Sequence, residues 1–145
     1  MIALLQRVTH ASVTVLGAQI AAIERGLLVF VAIQPVDNVA SAERVLERIL
    51  SYRVFPYAQG RMNRSLRDEC GGLLLVPQFT LAADTRKGTR ASFTSAAPPT
   101  VGANLFAYLV EHARRHYSQL AVGQFGVDMQ VALVNDGPVT FWLEV

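Results

Sequence analysis

Apolar residues along this chain recur with two different periods, and the change of period divides it into sheet and helix. Ile2 to Val8, Ala11 to Val15 and Ala18 to Ile23 are short β-type runs, the last two separated by Leu16-Gly17. Gly26 to Ile33 is continuously apolar, the pattern of a strand covered on both faces. Pro35 and Asp37-Asn38 stop this pattern. Ala42, Val45, Leu46, Ile49 and Leu50 then recur at helical spacing, with Glu43, Arg44, Glu47 and Arg48 on the opposite side. That spacing predicts an amphipathic helix packed on the sheet.

Tyr57 to Gly72 is rich in Gly, Arg, Asn and Asp and reads as loop, with a short extended piece around Met62 to Leu66. Leu73 to Val76 resumes as a buried strand. Pro98-Pro99-Thr100 marks the start of a second long helix, with Val101, Leu105, Tyr108, Leu109 and Ala113 as its apolar stripe and an end near Ser118. Met129 to Val134 and Val139 to Leu143 alternate like strands and flank a turn at Gly137-Pro138. Interleaved strands and helices with hairpin-length connections at both ends predict an α/β fold of mixed β-sheets, with both long helices on one side. No internal repeat or linker divides the chain, so residues 1–145 read as a single domain.

Composition narrows the class. The chain has 145 residues, 52% hydrophobic and 17% charged, enough for one ordinary core and unlike a disordered segment. Met1 to Arg7 lack the basic stretch and apolar core of a signal peptide, and no apolar run approaches the roughly 18 residues of a spanning helix, which predicts a cytoplasmic protein without a membrane partner. Cys70 is the single cysteine and has no His or Cys at ligand spacing, so it reads as structural or incidental. A net charge of +2 does not itself announce a nucleic-acid protein. Charge placement says more: Arg86, Lys87 and Arg90 bracket Gly88, either as a solvated surface loop or as a place where backbone and cations meet a phosphate.

The common catalytic arrangements are missing. There is no G-x-S-x-G elbow, H-E-x-x-H, C-x-x-C or P-loop, which removes the usual residues of serine hydrolases, zinc enzymes and nucleotide triphosphatases. His10 lies beside a turn, and His112 and His116 are one helical turn apart without the Glu and third ligand of a catalytic zinc site, so no metal or other cofactor is expected. What remains is Gln78-Phe79-Thr80, directly after a buried strand, where α/β sheets commonly open onto a ligand site. Thr80 stands either as a nucleophile or as a polar strand-end residue, and no His, Lys or terminal amine adjoins it in sequence as a base.

Pro77-Gln78-Phe79-Thr80-Leu81, Asp84-Thr85-Arg86-Lys87-Gly88 and Asn135-Asp136-Gly137-Pro138-Val139 together resemble the signature of the D-aminoacyl-tRNA deacylases. Leu4 to Val8, Ala11 to Val15, Tyr52 to Phe55, Gly72 to Val76, Ser92-Phe93, Phe125-Gly126 and Met129 to Val131 extend the resemblance over nearly the whole chain. One position departs: the family pattern carries serine where this chain has Pro77. Proline removes the N–H at 77 but leaves those of Gln78, Phe79 and Thr80 available.

The resemblance implies hydrolysis of the ester joining a D-amino acid to tRNA, with glycyl-tRNA as a second substrate. It implies a homodimer in which the Gly137-Pro138 peptide, cis in the family, enters the partner's pocket and rejects L-aminoacyl groups by its carbonyls. Gln78, Phe79 and Thr80 become the catalytic pocket, acting through main-chain donors, and Arg7 matches a family arginine bracing the Gly-Pro loop. Arg86, Lys87 and Arg90 become phosphate contacts to aminoacyl-tRNA. Two alternatives stand beside this reading: a tRNA-end-binding module weakened at Pro77, and a Thr80-dependent hydrolase of another ester.

Overall fold

A computed structural model of the chain describes residues 1–57 and 60–145. Eight strands and three helices follow in the order β1 (Ile2–Val15), β2 (Ala18–Ile23), β3 (Gly26–Ala32), α1 (Val39–Ser51), β4 (Phe55–Pro56), β5 (Met62–Arg64), α2 (Leu66–Glu69), β6 (Gly72–Pro77), α3 (Pro99–His116), β7 (Leu120–Val122) and β8 (Gln130–Glu144). Six strands form one mixed sheet in the order β2-β1-β3-β6-β7, with β8 paired to β1, and β4 with β5 form a small second sheet. The mixed-sheet class predicted above is the one observed.

β3 and β6 run parallel at the centre and separate two cores. Leu27, Val29, Val31, Leu73 and Leu75 face α1 and α3, where they meet Val45, Leu46, Ile49, Leu109 and Ala113. Leu28, Leu74 and Val76 face the opposite way, against Val8, Ala11, Val13, Ala21 and Ile23 of the β1–β2 hairpin. Alternate side chains of one strand therefore feed both cores, which explains why Gly26 to Ile33 carries no polar position. Both long helices lie on the first of these faces.

β1 is a single strand, merging Ile2 to Val8 with Ala11 to Val15. Its first half pairs with β3 and its second with β2. The face buried changes between Leu5 and Ala11, because pairing with β8 slips at Val8 to His10 and rotates the strand by one residue. Thr9 and His10 fall at that slip and are exposed.

α1 buries the five residues predicted for it, and it starts earlier, at a capping box between Asn38 and Ser41. In α3 the buried stripe is Gly102, Leu105, Phe106, Leu109, Val110 and Ala113, whereas Val101 is 43% exposed. The buried stripe is thus rotated by about one residue from the predicted one, toward Phe125, which Gly102 and Phe106 face. The loop expected from Tyr57 to Gly72 contains β5 and the four-residue α2, capped by a Ser65–Asp68 box; its residues 58 and 59 lie outside the described residues. β7, parallel to β6, has no counterpart among the predicted strands. Among the described residues, no helix is long and apolar enough to cross a membrane.

The C-terminal hairpin expected around Gly137-Pro138 is absent. Both flanking runs belong to one strand, β8, antiparallel to β1 along its whole length. Gln6 pairs with Thr140 and Val8 with Asn135, so two steps along β1 answer five along β8 and the intervening residues are pushed out as a bulge.

Candidate active site

β6 ends at Pro77, and the chain turns through one 3-10 turn over Phe79–Ala82. Gln78 N still donates to Val31 O at 2.8 Å, extending the parallel ladder by one rung. Leu73 N donates to Gln119 O on the β7 side, so the odd-numbered amides of β6 point toward β7. The last β6–β7 pair is Leu75 with Val122. Gly123 N donates to Leu75 O at 2.8 Å just beyond that pair, so the N–H that proline lacks at 77 would face Gly123, and Pro77 ends the β6–β7 ladder there.

Phe79 and Thr80 begin the turn, and the first amides of a helical turn have no acceptor within it. Among the described residues no acceptor receives either N–H. The Thr80 hydroxyl accepts from the Gln78 amide, Nε2 to Oγ1 at 2.5 Å, and among the described residues no ionisable group hydrogen-bonds it. The N-terminal ammonium, the base of some threonine nucleophiles, is buried elsewhere against Asp37 Oδ1, Gln34 Oε1 and Val145 O. What this turn offers chemically is a pair of main-chain donors.

Two depressions meet at Gln78 and Phe79. One, about 260 Å³, is apolar and reaches Val31, Ile33, Ala97 and Phe125. The other, about 520 Å³, runs along Val76, Pro77, Asp128, Met129 and Val131. A depression of about 560 Å³ lies at the opposite end of β6, beside Arg25, Glu69 and Gln119, away from any of the predicted site residues.

The predicted cationic residues come together on the loop that follows. Asp84 and Ser92 form an isolated antiparallel bridge, N to O at 2.8 and 3.0 Å, which closes residues 85–91 into a loop. Asp84, Arg86, Lys87, Arg90 and Ser92 line a depression of about 380 Å³. Arg86 is committed within it: Nε and Nη2 donate to the two Asp84 oxygens at 2.9 and 2.7 Å, and its main-chain N also donates to Asp84. Those bonds from Arg86 hold the Asp84 carboxyl well below the usual carboxylate range and raise the guanidinium in turn. Among the described residues Lys87 and Arg90 make no ion pair.

Gly137-Pro138 sits on the β8 bulge, and its peptide bond is cis. Asn135 closes the base of the bulge with both ends of its amide: Oδ1 accepts from Val139 N at 2.8 Å and Nδ2 donates to Val139 O at 3.2 Å. The side chain thereby replaces the strand partner that the bulge has displaced. Arg7, 8% exposed, holds the outer part. Its Nε donates to Asp136 O at 3.0 Å and pairs with Asp136 Oδ2 at 3.2 Å, while Nη1 donates to Val54 O at 2.6 Å. Gly137 has φ +141°, and a Cβ there would lie 2.6 Å from Val139 Cγ2, so no L residue fits without strain. Asn135 and Asp136 hold this loop, roles that strand periodicity does not announce.

Within one chain the bulge and the Gln78 turn are apart. Arg7 pairs with Leu27, and Gln78 bonds Val31. Four residues along β3 correspond to about 13 Å before the sideways displacement across the sheet is added. The His112 and His116 rings lie 4.2 Å apart, their planes tilted by 41°, at the C-terminal end of α3, and among the described residues no three His, Cys, Asp or Glu side chains are grouped to hold a metal. Cys70 is the exposed, left-handed C-cap of α2.

Residues 4–144 match the family described as D-Tyr-tRNA(Tyr) deacylase. A D-aminoacyl-tRNA deacylase of Pseudomonas putida is 58% identical over 98% of both chains. Another, from Nitrosococcus oceani, is 60% identical over 100% of this chain and 94% of its own. Among solved structures, one titled c-Myc DNA Unwinding Element Binding Protein superposes with a TM-score of 0.95 at 39% identity, covering 100% of this chain and 99% of that one. A second, titled as a probable eukaryotic D-amino acid tRNA deacylase, has a TM-score of 0.88 at 17% identity, covers 99% of this chain and 98% of that one, and speaks for the fold alone.

Proposed function

The chain belongs to the D-Tyr-tRNA(Tyr) deacylase family, and on that premise we propose that it hydrolyses D-aminoacyl-tRNA to free amino acid and tRNA through main-chain donors rather than a side-chain nucleophile. The observation that carries the mechanism is the pair of amides at Phe79 and Thr80, without acceptors at the mouth of two depressions. A carbonyl oxygen placed between them gains two hydrogen bonds as it becomes an oxyanion, and such donors act on the transition state more than on the ester. An aminoacyl ester is activated, so a water or the substrate's own 2′-hydroxyl attacks with little acid-base help once it is positioned. Gln78 orients the Thr80 hydroxyl, which serves as a hydrogen-bonding wall of the pocket. Pro77 is compatible with this mechanism because the donors lie beyond it.

Chirality is read, in this proposal, by the Gly137-Pro138 loop of a second copy. The separation of bulge and turn within one chain supports a contribution in trans, and so does β8, an outer strand that leaves Val134 47% and Trp142 50% exposed. Carbonyl oxygens of the loop occupy the space an L side chain needs and leave room for a D side chain or for the hydrogen of glycine. Glycyl-tRNA is accordingly a second substrate. Sparing L-aminoacyl-tRNA by a factor near 10⁴ requires about 5.5 kcal/mol, more than one lost contact supplies, and a braced backbone loop is suited to it. Lys87, Arg90 and, less strongly, Arg86 meet tRNA phosphates without reading sequence.

The test is release of D-tyrosine, L-tyrosine and glycine from their charged tRNAs by purified protein. Release of D-tyrosine and glycine with L-tyrosine spared is expected. Binding of the charged tRNAs without release would instead favour the weakened end-binding module, and total loss of activity in Thr80→Ala the threonine hydrolase.

A further inference from the structure

Two aromatic rings at the mouth of the pocket have no packing reason to be there. Phe79 is 56% and Phe93 45% exposed, yet their centroids lie 5.0 Å apart with the planes tilted by 57°. Core-forming phenylalanines in this chain behave otherwise: Phe55 is fully buried and Phe106 is 4% exposed. Phe93 directly follows Ser92, one half of the bridge that closes the cationic loop. Phe79 supplies one of the two main-chain donors. The aromatic pair therefore stands between a cluster of cations and the reacting ester.

Cations that follow a phosphate backbone beside aromatic faces are how proteins hold single-stranded nucleic acid, because every base has a π face and stacking tolerates sequence. We propose that Phe79 and Phe93 form a stacking platform for the nucleotide that precedes the terminal adenosine of the tRNA, with Lys87 and Arg90 on its phosphate. This rests on the proposed substrate. The terminal adenosine carries the ester and has the two depressions lined by Phe79 available to it, whereas Phe93 lines neither and extends the aromatic surface toward the loop. The tilt of the rings suits one face for stacking and one edge for lateral contact. Phe93 is on this account a positioning residue, and the platform tells a polynucleotide end from a free aminoacyl nucleoside.

The experiment compares two substrates, D-tyrosyl-tRNA and 3′-O-D-tyrosyl-adenosine, with the wild-type protein and with Phe93→Ala, Phe93→Leu and Phe93→Tyr. Phe93→Ala and Phe93→Leu are expected to raise KM for the charged tRNA about 5- to 150-fold, the range of one lost base stack, at unchanged kcat. Activity on the adenosine ester should stay within twofold, and Phe93→Tyr should restore the tRNA KM. In parallel, 2-aminopurine placed next to the terminal adenosine should lose fluorescence on binding to wild type and retain it with Phe93→Ala. Equal losses on both substrates, or unaltered KM and quenching in the variants, would overturn the platform. Failure of the wild type to hydrolyse either substrate would sink the proposed function instead, and the quenching assay on uncharged tRNA would still decide the stacking.

Discussion

Arg7 couples the Gly-Pro loop to the rest of the fold, and replacing it with methionine separates that structural role from the selective role proposed for the loop. Methionine matches the length of the stem but loses every donor. The Val54 carbonyl, in a residue 1% exposed, would be left without its 2.6 Å partner, and Asp136 would lose both the hydrogen bond and the ion pair. A hydrogen bond to a charged group is worth about 1.5–3 kcal/mol. The Val54 bond is buried and takes that full range, while Asp136, 37% exposed on its side chain, adds a fraction of it. A loss of about 3 kcal/mol follows, which for a domain of this size lowers Tm by roughly 10 °C.

The selective consequence is measured separately, below the melting range. With Arg7→Met the loop keeps its Asn135 closure and loses its outer brace, so carbonyls at 137 and 138 no longer hold one position. Release of L-tyrosine from its tRNA should rise at least tenfold, a loosening worth about 1.4 kcal/mol, while kcat for D-tyrosyl-tRNA changes little. Paired D and L deacylation time courses with calorimetry give both numbers. A fall in Tm with L rejection intact would refute the argument, since Arg7 would then brace the fold and not the filter.

Thr80→Ala should keep deacylation within about tenfold, whereas Phe79→Pro, which deletes one main-chain donor at a position where a helical turn accepts proline, should lower kcat by about 10²- to 10³-fold in single-turnover assays. Gly137→Ala forces a side chain into a backbone at φ +141° and should lower stability by about 1–3 kcal/mol in urea titrations, with loss of L rejection. Lys87→Ala and Arg90→Ala should each raise KM for charged tRNA and reduce its salt slope by about one, with a smaller effect for Arg86→Ala because Asp84 already engages that guanidinium. The Asp84 carboxyl is depressed by Arg86, so the pair's contribution is complete above the ordinary carboxylate value and fades only as pH falls below it. KM for tRNA should then show no Asp84-linked change between pH 5 and 8, and protonation in that window with a matching rise in salt slope would contradict the geometry.

The strands and both long helices were legible because burial writes itself into apolar spacing: the five buried residues of α1 are the five its periodicity predicts. α3 is rotated relative to its predicted stripe since Gly102, at the contact with Phe125, counts as nothing in an apolar pattern. The C-terminal bulge looks like a hairpin turn for a related reason. Alternation on either side of Gly137-Pro138 is identical for a hairpin and for one strand with a bulge, and only the partner strand, β1, some 130 positions away in sequence, distinguishes them. α2 carried a usable signal in Ser65-x-x-Asp68, a capping box hidden inside a stretch that otherwise looks like loop. Gln78 to Thr80 could be placed at a strand end, but that two of its amides lack acceptors depends on how the turn begins, and no residue type encodes that.

If the Gly-Pro loop is the filter proposed above, the Asn135 clasp has a consequence for how selectivity responds to conditions. A loop tied by its own side chain and strapped by Arg7 has surrendered its conformational freedom when each copy folds, before any second chain or substrate arrives. Little ordering then remains to be opposed at the moment of encounter. Discrimination built in this way is a property of shape, so the ratio of D to L turnover should vary weakly with temperature and with the bulk of the amino acid, even where the rates themselves vary widely.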